Sequence, residues 1–174
     1  MTNTPRTARP AFTLIEASMS IVVVSIMLVS SLRVLGSARA GELTAQRRAV
    51  AIALAQGLMS EIVASNYEDP DDGDKIGPSV ADISASRSLY DDAGDYDDWG
   101  ASPPQEKDGT VLTDFIGYER SVTVHWVDPT DLSLTRVTAT GIKRITVTVS
   151  HGSREHAKLI AYRTDAHDPG PILP

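Results

Sequence analysis

From Phe12 to Leu32 the chain reads FTLIEASMSIVVVSIMLVSSL, 21 residues with a single charge, Glu16. Coiled as a helix at about 1.5 Å per residue, such a run reaches roughly 30 Å, the thickness of a bilayer's hydrocarbon core. Ser18, Ser20, Ser25, Ser30 and Ser31 lower its hydropathy, but each hydroxyl can bond back to its own helix. The competing reading is a core helix of a soluble protein, and such a helix is rarely this long without a polar stripe. A membrane span is therefore expected at about residues 12–35.

A cleaved secretory signal is the other competitor. Its apolar core would be shorter and would end in an A-x-A site, for which only Ala38 and Ala40 in GSARAGE offer a match. Helical character also continues through that point. No proline occurs between Phe12 and Asp69, and Leu43, Val50, Leu54, Leu58 and Ile62 mark one helix face, widened by Ala51, Ala55, Met59 and Val63. The spacing predicts one helix over 12–66, roughly 55 residues and about 80 Å, apolar all round in its first half and amphipathic in its second. Asn66 is placed to cap its end, and Asp69 before Pro70 disfavours continuation.

Beyond the helix the composition changes. Residues 67–114 hold 14 Asp+Glu against 3 Lys+Arg, whereas residues 115–174 hold 6 against 7. The acidic segment reads as a long irregular connection with a helical turn at Val80–Ser84, and Tyr90, Tyr96 and Trp99 give it something to bury. Its acids fall in two clusters: Glu68, Asp69, Asp71, Asp72 and Asp74, then Asp91, Asp92, Asp95, Asp97 and Asp98. Calcium takes six to eight oxygen donors, and the second cluster is the candidate ligand set. Neither cluster has the EF-hand spacing. The alternative is a solvated surface whose acids cap turns and pair with Arg87 and Lys75.

From Phe115 the period switches to two. Val122, Val124 and Trp126 alternate with Ser121, Thr123 and His125; Ile145, Val147 and Val149 alternate with Thr146 and Thr148; Leu159 and Ala161 oppose Ile160 and Tyr162. SHGSRE joins the last two runs as a hairpin turn. The expected fold is α+β: the long helix packed on a small antiparallel β-sheet head over 115–164, with 165–174 as a tail.

Chemistry is harder to find. The chain has no cysteine, which excludes disulfides, thiolate metal sites and a cysteine nucleophile. His125, His151, His156 and His167 lack the H-E-x-x-H spacing, and there is no P-loop, nucleophile elbow or dinucleotide fingerprint. A net charge of −7 argues against nucleic acid as a partner. No catalytic residues are expected, and the chain does not read as an enzyme.

The stretch AFTLIEASMSIVVVSIMLV, Ala11 to Val29, resembles the N-terminal motif of type IV pilins and type II secretion pseudopilins. The resemblance implies a leader, Met1–Ala11, that a prepilin peptidase removes, leaving Phe12 as an N-methylated terminus. It also implies that the apolar helix forms the core of a filament. Two features differ from the common pattern: Ala11 stands where Gly is usual, and Ser30-Ser31-Leu32-Arg33 holds no proline where major pilins often carry one. The second departure is more similar to a minor pseudopilin.

An ionised carboxylate in hydrocarbon is costly unless paired, so Glu16 needs a partner. The resemblance supplies one in the Phe12 α-amino group of a neighbouring subunit. The alternative is that Glu16 reaches the headgroup layer. Arg6 and Arg9 before the span are balanced by Arg33, Arg39, Arg47 and Arg48 after it, so charge alone leaves orientation open. The resemblance places the head outside the cytoplasmic membrane in a single-pass protein. Its implied partners are other pseudopilins or pilins, the prepilin peptidase/methyltransferase, an inner-membrane assembly platform and membrane lipid. A minor type IV pilin in adhesion or DNA uptake is one alternative. A signal-anchored extracytoplasmic binding module with an acidic, calcium-binding head is the other.

Overall fold

The computed structural model describes residues 13–70, 73–80, 82–83 and 86–167. The expected leader (Met1–Ala11), Phe12 and the last seven residues of the expected tail lie outside the described residues, as do Ala81 and Ser84 of the expected turn. The fold is α+β, as the periodicities require. One long helix, α1 (Leu14–Ala64), is followed by β1 (Gly100–Ala101), β2 (Tyr118–Val127), β3 (Thr135–Arg136), β4 (Ile142–His151) and β5 (Arg154–Thr164). The chain divides into two compact units, Met1–Ala45 and Gln46–Pro174, so the boundary falls within α1.

In the first unit, α1 starts from Thr13, whose Oγ1 accepts from the Glu16 backbone N–H at 3.4 Å. Thr13 and Glu16 stand three apart, the spacing of a capping box, and the acid complements the helix N-terminus. Ser18, Ser20, Ser25 and Ser31 donate to the carbonyls of Leu14, Glu16, Ile21 and Met27 at 2.7–2.9 Å. These bonds remove much of the cost of placing hydroxyls in an apolar medium. α1 is long and apolar enough to cross a membrane, and none of its most apolar window is buried by the rest of the chain.

In the second unit, the amphipathic end of α1 packs on the sheet. Ala51, Leu54, Ala55, Leu58 and Ile62 are buried in one core with Tyr118, Val122, Val124, Ile145, Val147, Val149 and Ala157. The expected face is thus narrower than its sequence pattern: Val63 is 47 % exposed, and Leu43 belongs to the first unit at 55 %. α1 ends at Ala64, where Ser65 donates both its N–H and its hydroxyl to the Ile62 carbonyl. Asn66, expected as the cap, pairs its backbone with the distant Asp91–Ala93 segment instead.

The sheet is antiparallel, with β1, β2, β4 and β5 side by side and β3 on the same edge of β2 as β1. Val122 pairs with Val147 and Val124 with Ile145, which sets all four side chains on the inner face. A two-residue turn joins β4 to β5, with His151 opposite Arg154; Gly152 takes a φ of 61°, which glycine adopts without steric cost. Ile160 and Tyr162 face outward, as their alternation with Leu159 and Ala161 predicts.

The described residues of the segment 67–114 are irregular but anchored. It contributes β1, a 3-10 turn at Arg87–Leu89, another at Thr113–Phe115, and the fully buried side chains of Tyr67, Arg87 and Tyr96. Single large anchors of this kind carry no period, which is why composition read the whole stretch as loop.

Candidate functional site

Two parts of this segment, separated in sequence, meet beside the end of α1. The Asn66 N–H donates to the Asp91 carbonyl at 2.8 Å, and Ala93 N–H returns a bond to the Asn66 carbonyl at 3.0 Å. Farther along, Gly77 N–H donates to the Gly94 carbonyl at 3.0 Å. Gly94 is required by space: a Cβ there would clash with the Lys75 carbonyl oxygen and lie 2.9 Å from Asp92 Oδ1. This close approach brings Asp69 of the first part against Asp92 and Asp95 of the second.

Among the described residues, Asp69, Asp92 and Asp95 form a buried triad whose carboxylate oxygens lie within 4.8 Å of one another. Such a group could hold a metal ion, and its donors are all hard oxygens. Asp92 Oδ1 accepts from the Gly94 N–H. Asp95 Oδ2 accepts from the N–H groups of Asp91 and Asp92 at 3.1 and 3.4 Å. Asp95 Oδ1 is buried and has no hydrogen-bond partner among the described residues. Burial pushes the Asp92 carboxyl up to about 7, with the Gly94 N–H pulling it back down and the nearby Asp95 charge adding to the rise. Burial likewise raises Asp95, against the two amides it accepts from.

A cation approaches from the sheet. Lys143, wholly buried on β4, donates to the Tyr67 carbonyl at 2.5 Å and lies 3.0 Å from Asp74 Oδ1 and 3.7 Å from Asp92 Oδ1. Its ammonium also stands 4.6 Å from the centre of the Tyr67 ring. Trp126 Nε1 donates to the same Asp74 oxygen at 3.2 Å. These bonds fasten the acidic segment to β2 and β4.

The five acids singled out by sequence therefore part company. Asp92 and Asp95 join the triad. Asp91 is exposed and contributes backbone groups, Asp97 Oδ1 accepts from the Val124 N–H at 2.7 Å, and Asp98 sits in the left-handed region at φ 55°. Asp69 takes the third place. Sequence reading put it in the other cluster, and nothing local shows that the two clusters meet. Lys143 did carry a signal: it lies two residues before Ile145, on the inner face of a strand whose period was already legible.

Arg87 is not paired with the loop acids. It makes a bidentate ion pair with Glu61 of α1, and Tyr96 Oη donates to Glu61 Oε1 at 3.0 Å. Of the processing and assembly residues, Ala11 and Phe12 lie outside the described residues, and Glu16 is exposed in the first turn of α1. Comparison with family models, with curated proteins and with solved structures finds no match for this chain.

Proposed function

We propose that the chain is a prepilin-like structural subunit of a type II secretion-type pseudopilus. A prepilin peptidase removes Met1–Ala11, the new Phe12 terminus is methylated, and the N-terminal helix enters the filament. The observation that carries this reading is the coupling of the Phe-Thr-Leu-Ile-Glu motif to a helix half that is apolar on every side. Leu14, Ile15, Met19, Val22, Ile26 and Val29 are at least half exposed, and together they need a bilayer or other helices to cover them.

The functional logic is sequential. Before assembly, lipid covers the helix and the head lies on the extracytoplasmic side. After cleavage, the Phe12 amine supplies a cation for Glu16 of a neighbouring subunit. That pairing neutralises a charge that hydrocarbon would otherwise penalise, and it sets the axial register of the incoming helix. Partners are other pseudopilins or pilins, the peptidase/methyltransferase and an inner-membrane assembly platform. The chain itself does no catalysis.

The test is incorporation. Full-length protein co-expressed with a pseudopilin set and its assembly platform should co-purify with filaments sheared from the cells. Complete retention in the membrane fraction, with filaments forming normally, would count against the subunit reading.

A second reading is a permanently anchored binding module whose head holds calcium. The buried Asp69–Asp92–Asp95 triad favours it, because an ion site in the head has no required part in helix-driven assembly.

A further inference from the structure

We propose that a cavity beside the second half of α1 binds an aliphatic carboxylate, with Arg120 as the cation that meets its head group. The cavity shares no residue with the acidic triad, and the proposal stands whether or not the chain enters a filament.

The cavity measures about 510 Å³, within the range of small-ligand sites. Val50, Leu54, Gly57 and Glu61 follow one another at steps of four, three and four, so they share one face of α1. Leu112 and Phe115, at the 3-10 turn before β2, supply further apolar wall. Val50, Leu112 and Phe115 pack on the core but are only half-buried, which leaves apolar surface for a ligand to cover. Gly57 keeps the space open. A glycine inside a helix is destabilising relative to alanine, and here no close neighbour requires one. A Cβ at Gly57 would meet nothing within 4 Å.

The charges along the wall differ in how far they are matched. Glu61 is fully engaged: its Oε1 accepts from Arg87 Nε at 2.9 Å and Tyr96 Oη at 3.0 Å, and its Oε2 accepts from Arg87 Nη2 at 3.1 Å. Glu106 is exposed. Arg120, on the inner face of β2, is 4 % exposed and forms no ion pair among the described residues. Its Nη2 donates to the Gln105 carbonyl, which Arg87 Nη2 also uses, and its Nε has no hydrogen-bond partner. Two buried guanidinium groups thus meet one engaged carboxylate. A buried charge without a counter-ion is costly, and burial, with the Arg87 charge adding to it, pushes the Arg120 pKa down. An anion in the cavity relieves that cost.

The wall selects the ligand's class. One cation in an otherwise apolar surface fits a molecule with one anionic group and an apolar body. A peptide segment would bring backbone N–H and C=O groups for which such a wall has few partners. A phosphate carries more charge than one guanidinium matches, and Glu61 and Glu106 would repel the excess. An aliphatic carboxylate asks only for a charge-assisted hydrogen bond and apolar cover.

The experiment is photolabelling of the full chain in lipid nanodiscs with a diazirine analogue of decanoate, mapped by tandem mass spectrometry. Label should fall within 50–61 and 106–120. Decanoate should compete about tenfold better than decanol, which has the same chain length and no charge. Arg120→Met and Gly57→Leu should each lower labelling of these stretches about tenfold, the first by removing the cation and the second by filling the space. Leucine suits a helix, so Gly57→Leu carries the comparison if Arg120→Met does not fold. Glu106→Gln removes a competing acid and should raise labelling. Label confined to the apolar half of α1, equal competition by decanol, unchanged labelling in both variants, or a fall with Glu106→Gln would overturn the proposal.

Discussion

Arg87 lies bidentate on Glu61, with Nε 2.9 Å from Oε1 and Nη2 3.1 Å from Oε2, and the two residues are 26 positions apart in sequence. The pair ties the acidic segment to the buried face of α1, and the Arg87 guanidinium also stacks 4.0 Å from the centre of the Trp99 ring. Its two ends are unequal: the Arg87 side chain is 1 % exposed and that of Glu61 is 19 %.

That inequality predicts an order. Glu61→Leu strands a buried guanidinium and should cost about 3–5 kcal/mol, whereas Arg87→Met leaves a carboxylate that water partly reaches and should cost less. The double variant should recover part of the loss, because neither charge is then stranded. Denaturant melts of the four proteins decide it; equal losses for the two single variants would remove the asymmetry.

Lys143 should separate stability from ion affinity. Lys143→Met removes the donor to the Tyr67 carbonyl and the partner of Asp74, so the calcium-free protein should lose about 3 kcal/mol. It also removes a positive charge 3.7 Å from Asp92, so a head that holds calcium, as in the second reading, should bind it more tightly. Melting with and without calcium would show a larger calcium-induced shift in the variant than in the wild type. A smaller shift would mean that Lys143 supports the site rather than competing with the ion.

Gly94→Ala tests the close approach of the two segments. The added methyl meets the Lys75 carbonyl oxygen and sits 2.9 Å from Asp92 Oδ1. Overpacking of this kind costs about 1–3 kcal/mol. A variant with wild-type melting temperature would show that the backbone there relaxes freely.

Much of the fold was legible because it is periodic. Leu54, Leu58 and Ile62 at helical spacing, and Val122, Val124, Ile145, Val147 and Val149 at strand spacing, are the residues that fill the core. The triad was only half legible. Asp92 and Asp95 stood out by their density, but Asp69 joins them through the Asn66–Asp92 bridge, a non-local pairing that no local pattern encodes. Arg87 misled for a related reason: acids crowd around it in sequence, and its partner is on α1. Lys143 obeys the strand period, but its partners Tyr67 and Asp74 lie far off in sequence, so no local pattern shows its role.

Glu16 has two roles to separate. As the fourth residue of Thr13-Leu14-Ile15-Glu16 it stands at the capping-box position, with its N–H donating to Thr13 Oγ1, and as a charge in an apolar helix it would pair with a neighbour's terminus. Glu16→Gln retains a side chain suited to the cap but loses the charge, whereas Glu16→Val loses both. Both should insert in the membrane, and both should reduce filament incorporation about tenfold or more, for which a loss of about 1.4 kcal/mol suffices. Wild-type incorporation of Glu16→Gln would assign Glu16 to the cap alone.

The mass of the intact N-terminus decides whether the chain is, as proposed, a processed filament subunit. Full-length protein expressed with a prepilin peptidase should yield a terminal peptide beginning at methylated Phe12, and without the peptidase it should retain Met1–Ala11. A chain that keeps its leader in the presence of an active peptidase would contradict the claim and leave the anchored binding module in its place.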